Sequence, residues 1–362
     1  MKKLVVIIVF MLTLFVGNGE YTFAAENFDT NEPEKGILTK ETAVLASNIT
    51  TGTLGENNGF QWTYDTSTKT LTVTGEDTLP IHFSSPIYAI DAEMEKIIFK
   101  DCIFKEEIND LLRNLSCLKE VQFNNCDTSA VTDMSSMFAG CSNLISLDLS
   151  SFDTSNVTDM ARMFEDCSNL VTLNVSSFDV SEVSDMLRMF YGCSNLTTLD
   201  LSSFTPDAVK RTSQMFYGCS NLTTLDLSEF ITPKVTDTDN MFSSCSKLTE
   251  LDLSSFDTSL VTDMGCMFVG CSNLTTLDIS SFNTSNVKYM ESLFSDCSNL
   301  TALDLSGFNT SNVTDMDFMF SNCSKLTELD LSGFDTSAVT HMSGMFKGCS
   351  NLQLLDVSNF DT

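Results

Sequence analysis

The chain has 362 residues, 42% of them hydrophobic and 19% charged, and its formal net charge is −30. So acidic a composition lacks the basic footprint that nucleic acids and anionic membranes require, and it suits solubility and cationic partners or divalent ions. Thirteen cysteines against two histidines raise the question of a disulfide framework and argue against zinc, because no Cys-x-x-Cys pair is present.

Residues 1–25 begin with Lys2 and Lys3, run through apolar residues from Leu4 to Val16, and reach small residues at Ala24 and Ala25. This pattern predicts a secretory signal peptide cleaved after Ala24 or Ala25; the other reading, a permanent N-terminal anchor, calls for a longer apolar run. No cysteine near the cleavage region offers a lipid attachment point. No later stretch is apolar for long enough to span a bilayer. A secreted or cell-surface location follows. Residues 26–58 are polar, aperiodic and rich in Thr, Asn, Glu and Gly, which reads as a flexible linker.

From Phe60 the texture changes. Two alternating runs, Phe60 to Asp65 and Lys69 to Gly75, flank a short polar break, the signature of a β-hairpin. Standing before a repeat array, such a hairpin would cap the first coil's open edge. Residues 59–114 are therefore read as a cap and an irregular first coil, and residues 115–362 as a regular array.

The array repeats every 26 residues without insertion or deletion, restarting at Cys141, Cys167, Cys193, Cys219, Cys245, Cys271, Cys297, Cys323 and Cys349. A fixed period of this length predicts a solenoid whose units cannot bury their apolar faces alone. In the first half of a unit, Leu144, Leu147 and Leu149 follow Leu-x-x-Leu-x-Leu, which predicts a short half-buried strand. In the second half, Met160, Met163, Phe164 and Cys167 fall at i, i+3, i+4 and i+7, which predicts a short helix with Thr158 and Asp159 at its start. The predicted fold class is an α/β repeat solenoid, with a strand and a short helix per unit and an N-terminal β-hairpin cap. The last unit stops after its strand half, at Thr362. No closing cap or Leu-Pro-x-Thr-Gly sorting motif follows, so the coil is either frayed or continued by a missing C-terminal portion. Its apolar edge at Leu352, Leu355 and Val357 is open to self-association.

The Leu-x-x-Leu-x-Leu frame resembles leucine-rich repeats. The longer motif Phe-Asp-Thr-Ser-Asn-Val-Thr-Asp-Met-x-x-Met-Phe, beginning at Phe152, resembles the BspA-like repeats of bacterial surface proteins, of the DUF285 type. This resemblance covers roughly residues 59–362. It implies a surface or secreted protein that adheres to host, matrix or microbial partners. Met94 to Cys102 and Leu118 to Cys126 keep the general leucine-rich pattern, with Cys closing the frame; later units place Phe there.

Two polar columns and the cysteines carry the remaining chemistry. Asp148, Asp200, Asp226, Asp252, Asp278, Asp304, Asp330 and Asp356 occupy one column, with Asn174 in the remaining place. Stacked like charges about 5 Å apart repel, so either cations such as calcium bridge them or neighbouring hydroxyls and backbone N–H groups satisfy them. A second column, with Asp133, Asp159, Asp185, Asp237, Asp263 and Asp315, opens the second half of the unit, and Arg211, Tyr289 and His341 break it. The Met column running from Met137 to Met345 reads as core rather than as a soft-metal site. The repeating cysteines could bridge between stacked coils, but a ladder of identical neighbours has no preferred pairing and favours buried thiols. Cys266 lies outside the column and is the expected reactive thiol.

Departures from the repeat point to recognition. Arg162 and Arg188 share one column, Tyr191 and Tyr217 another, and Lys210 and Arg211 stand in the adjoining unit. Aromatics and Arg are enriched at binding hot spots, so these six residues are the candidate partner-binding site. No catalytic, cofactor-binding or metal-ligating residues are assigned, and no cofactor is implied. His82 and His341 lie far apart, and no Gly-x-Ser-x-Gly nucleophile motif occurs. The reading is a protein-binding or adhesion module with a protein partner; the alternative is a structural surface spacer with no defined ligand.

Overall fold

The computed structural model describes residues 49–54, 59–77 and 93–361. The expected signal peptide and His82 lie outside the described residues. Strand β1 (Ile49–Leu54) pairs antiparallel with β2 (Phe60–Asp65), and β2 pairs antiparallel with β3 (Thr70–Asp77). Phe60, Trp62 and Tyr64 alternate inward, while Gln61 and Thr63 face solvent. Part of the polar segment 26–58 is thus not linker but an edge strand. Its Thr-rich composition concealed it, because a strand covered on one side only needs few large apolar residues. Gly52 pairs with Trp62, and a Cβ there would lie 2.6 Å from the indole ring; the close approach requires glycine.

At β3 the pairing becomes parallel. β3 pairs with β4 (Lys96–Glu107), and β4 pairs with both β5 (Glu120–Asn124) and β6 (Asp127–Asp133). β5 then meets β7 (Ser146–Asp148), which pairs with β8 (Thr172–Asn174). The cap and the first coils therefore share one sheet. Further along, the inward leucines keep the same register, Leu199 beside Leu225, Leu251 beside Leu277 and Leu329 beside Leu355. A second parallel ladder links single residues of successive coils, from Asp133 and Asp159 through to Asp315 and His341. Between the two ladders lies a continuous core in which Phe138, Phe164, Phe190, Phe216 and their equivalents stack ring on ring. Their centroids are 5.5–6.0 Å apart from coil to coil, within the range that favours aromatic pairs. At the last coil, Leu354 is 66% exposed.

The predicted helix is absent: no helix occurs among the described residues. The stretch from Met160 to Cys167 is a run of turns in which alternate N–H groups point in different directions. Met163, Glu165 and Cys167 donate to carbonyls three residues back, whereas Arg162, Phe164 and Asp166 donate to Leu187, Met189 and Tyr191 of the next coil at 2.7–2.9 Å. A helix would turn every N–H beyond its first turn onto a carbonyl four residues back, and would not send alternate N–H groups to the neighbour. Arg162 (φ 58°) and Asp166 (φ 57°) are left-handed, which a right-handed helix excludes and the third position of a type II turn requires. Inward side chains at i, i+3, i+4 and i+7 arise equally from such turns, so apolar spacing alone could not separate the two. Asp159 does open the segment, but as a local turn: its Oδ1 accepts from Ala161 N at 2.8 Å.

Two side-chain ladders tie the coils together. Every thiol of the repeating column donates to a carbonyl of the preceding coil, as Cys167 does to Phe138 O at 3.2 Å and Cys193 does to Phe164 O at 3.2 Å. These cysteines are reduced, and all but the partly buried Cys349 are buried in a site that supplies a partner for the S–H. The second ladder is threonine. Thr284 is fully buried, and its hydroxyl donates to Asn309 O at 2.9 Å and accepts from Asn309 N at 2.8 Å. Thr154 does the same with Asp179, and Val180 and Pro206 interrupt the series. Thr284→Val keeps the shape and strands both backbone groups of Asn309. It should destabilise the local coil by about 1–3 kcal/mol, whereas Thr284→Ser retains the bridge. Native-state hydrogen exchange at Thr284 to Val313 measures the difference.

Candidate functional site

The turn run positions the candidate residues. Because Arg162 and Arg188 take the left-handed position of the turn (φ 58° and 56°), their side chains lie on the outside of the coil, partly exposed. Three residues on, Tyr191 and Tyr217 stack face to face with centroids 4.7 Å apart and planes within 7°. The Arg188 guanidinium sits 5.2 Å from the Tyr191 ring centroid, a cation–π arrangement. Its Nε donates to Gln214 Oε1 at 2.7 Å, and Glu165 pairs with it at 3.3 Å and with Arg162 at 3.9 Å. The result is a pre-ordered aromatic step with a guanidinium at one end, held from below by a carboxylate and an amide.

Lys210 and Arg211 form a separate group. Arg211 stands in the bridge column between Asp185 and Asp237 and pairs with the buried Asp185 carboxylate. Lys210 is exposed, with its backbone N–H on Ser184 O. The six predicted residues are thus one cluster of four and one adjoining pair, and their positive charge is partly neutralised by Glu165 and Asp185. Sequence reasoning missed Glu165 and Gln214, although each occupies a column already singled out, Glu165 that of the tyrosines and Gln214 that of the arginines. It also missed Phe318, which occupies the Arg column (φ 57°), is 39% exposed, and has the Lys347 ammonium 6.0 Å from its ring.

The strand-column aspartates are satisfied by turns. The Oδ1 of Asp148 accepts from Ser150 N, that of Asp252 from Ser254 N and that of Asp330 from Ser332 N, all at 2.9–3.0 Å. Hydrogen bonds from that serine's N–H and hydroxyl hold Asp148, Asp200, Asp226, Asp278, Asp304 and Asp330 below the ordinary carboxylate range. Near the turns the opposite holds. Burial raises Asp239, Asp263 and Glu291, with repulsion from neighbouring carboxylates adding to it, and Glu291 Oε2 has no hydrogen-bond partner. Cys266 is half-buried among these carboxylates, and burial and their charge push its thiol up to about 11. This corrects the expectation of an exposed, reactive thiol. Among the described residues no group of three or more His, Cys, Asp or Glu is arranged to hold a metal ion, and no helix is long and apolar enough to cross a membrane.

The sequence matches the family described as "Mycoplasma protein of unknown function, DUF285" over residues 106–225, 210–327 and 300–362. The chain belongs to this family. No curated protein matches it. Among solved structures it is similar to the TLR13–ssRNA13 complex (17% identity, 79% of this chain and 50% of that one, TM-score 0.25). Others are PEPR1–AtPEP1 (18%, 79% and 43%, TM-score 0.29) and the Toll–Spatzle complex of Drosophila (14%, 88% and 54%, TM-score 0.21). The chain spans about half the length of these structures.

Two outcomes follow from the titrating groups. Carboxylates raised by burial bind protons more tightly in the folded state, so stability grows as pH falls from 7 through their folded pKa values. Carboxylates held low by serine contribute stability above the unfolded value of about 4, and lose it below. The melting temperature should therefore rise from neutral to mildly acidic pH and then fall below about pH 4, and Glu291→Gln should flatten the rise. Alkylation of Cys266 by iodoacetamide at neutral pH, followed by peptide mass spectrometry, should be on the order of a hundredfold slower than that of an unperturbed cysteine, since the thiolate is the nucleophile.

Proposed function

We propose that the chain is an exported, BspA-like protein-binding module that acts at or beyond a bacterial cell surface and adheres to a host, matrix or microbial protein. The observation that carries this reading is the stacked Tyr191–Tyr217 pair with Arg188 over its end. Partly exposed aromatics already ordered by stacking lose little entropy on binding, and Tyr and Arg are the residue types that anchor interfaces. The rigid ladder beneath supports them, and a solenoid offers a long surface of the kind repeat proteins use for recognition. The N-terminal leader expected from the sequence supports export.

A structural spacer is the second reading, favoured by the unbroken phenylalanine stack and the constant 26-residue period. The test is binding of the purified protein to a panel of extracellular-matrix proteins and bacterial cells, with and without calcium. Saturable binding weakened about 30-fold or more by Tyr191→Ser with Tyr217→Ser supports the proposal, a loss of the size expected of hot spots. Folded protein that binds no member of the panel favours the spacer. Saturable binding unchanged by the double substitution places the contact on another face.

A further inference from the structure

Cys102 and Cys126 differ from every member of the repeating cysteine column. Cys102 lies in β4, and Cys126 lies between β5 and β6. Lys100 pairs with Asn124 and Ile103 with Asp127 in parallel register, so the two cysteines stand at the same level of adjacent strands. Neighbouring strands lie about 4.8 Å apart, inside the Cα separation that a disulfide accepts. Each follows a residue bent into the left-handed region at the same level, Asp101 (φ 53°) and Asn125 (φ 55°), and the Asn125 amide donates to the Asp101 carboxylate at 2.8 Å. The two coils therefore turn together and place the two cysteines side by side on adjacent strands. Cys102 is sealed, with its thiol on Val73 O at 3.3 Å, whereas Cys126 is partly open to solvent.

We infer that Cys102 and Cys126 form a redox-active pair, which closes into a disulfide that staples the first two coils when the protein meets a small-molecule disulfide. The neighbouring Cys102 side chain lowers the thiol pKa of Cys126, which makes the accessible member the better nucleophile, while Cys102 itself is raised. The Cys126 thiolate attacks one sulfur of oxidised glutathione, breaking its S–S bond and releasing one glutathione thiolate. Cys102 then attacks the Cys126 sulfur, and its proton passes to the second glutathione as that leaves as a thiol. Two protein thiols are oxidised and one glutathione disulfide is reduced to two thiols. The repeating column lacks this chemistry: Cys167, Cys193 and Cys245 are buried, each bound to a carbonyl, and burial pushes their thiols well up. The staple encloses the chain between β4 and β6, so it would restrict opening of the cap end.

The experiment exposes the full, folded chain to oxidised glutathione, traps remaining thiols with iodoacetamide under native conditions, and maps disulfides by non-reducing peptide mass spectrometry. The expected result is one linkage, Cys102 to Cys126, a loss of two thiols from the total of thirteen, and no glutathione retained. Cys102→Ser should instead accumulate a stable glutathione adduct on Cys126, and Cys126→Ser, a change at the partly exposed position, should leave Cys102 unmodified. Wild-type protein that keeps the adduct on Cys126 without closing the link, or that links column cysteines first, overturns the inference. So does protein in which neither cysteine reacts.

Discussion

The structure depends on one hydrogen-bond allocation: in the second half of each coil, every other backbone N–H is given to the next coil. Arg162, Phe164 and Asp166 donate forward, while Met163, Glu165 and Cys167 close turns within their own coil. A buried N–H without an acceptor is costly, so a coil inside the stack needs the next coil in register. That requirement accounts for the strict 26-residue period. One inserted residue would move all the forward donors off their acceptors at once. The same allocation sets the coil-to-coil spacing at which the phenylalanines stack and at which threonine hydroxyls and cysteine thiols reach neighbouring backbone.

It also separates positions that must stay from positions that can vary. Apolar residues between the ladders are confined by packing on both sides. The left-handed position held by Arg162, Arg188, Gln214, Cys266 and Phe318 points outward and contributes only its backbone to the ladder. Side chains there are free to carry recognition, at the modest cost of a non-glycine residue with positive φ. Tyr191 and Tyr217 take a similar outward place three residues on, and inherit the ladder spacing as their stacking distance. A rigid frame with a variable outer column is the arrangement on which the binding proposal rests.

Several of these features were legible in particular residues. The restarting cysteines gave the solenoid, Leu147 and its equivalents gave the strand, and the alternation from Phe60 to Tyr64 gave the second cap strand. The helix was misread because Met160, Met163, Phe164 and Cys167 point inward at a spacing that turns and helices share. Glycine or aspartate at 166, 192, 218 and 270 was the available sign of left-handed backbone, but it also reads as a helix stop. Ile49–Leu54 escaped because threonine-rich edge strands resemble polar linker. The threonine bridge was invisible because Thr154 and Thr158 look alike in sequence, although only the first is buried.

By itself, the sequence determined that the chain is an acidic repeat array, where each coil begins, which side chains enter the core, and that Arg162, Arg188, Tyr191 and Tyr217 depart from the pattern. These follow from periodicity and composition, which are local properties. Only the tertiary structure decided that the second half of each coil is turn rather than helix, because the choice depends on where backbone donors find acceptors in another coil. For the same reason it alone decided that Tyr191 and Tyr217 stack, that Arg211 belongs to Asp185, and that Cys102 and Cys126 stand level on adjacent strands. Each of these contacts joins residues about one coil apart in the chain, and their approach is set by the register of the stack.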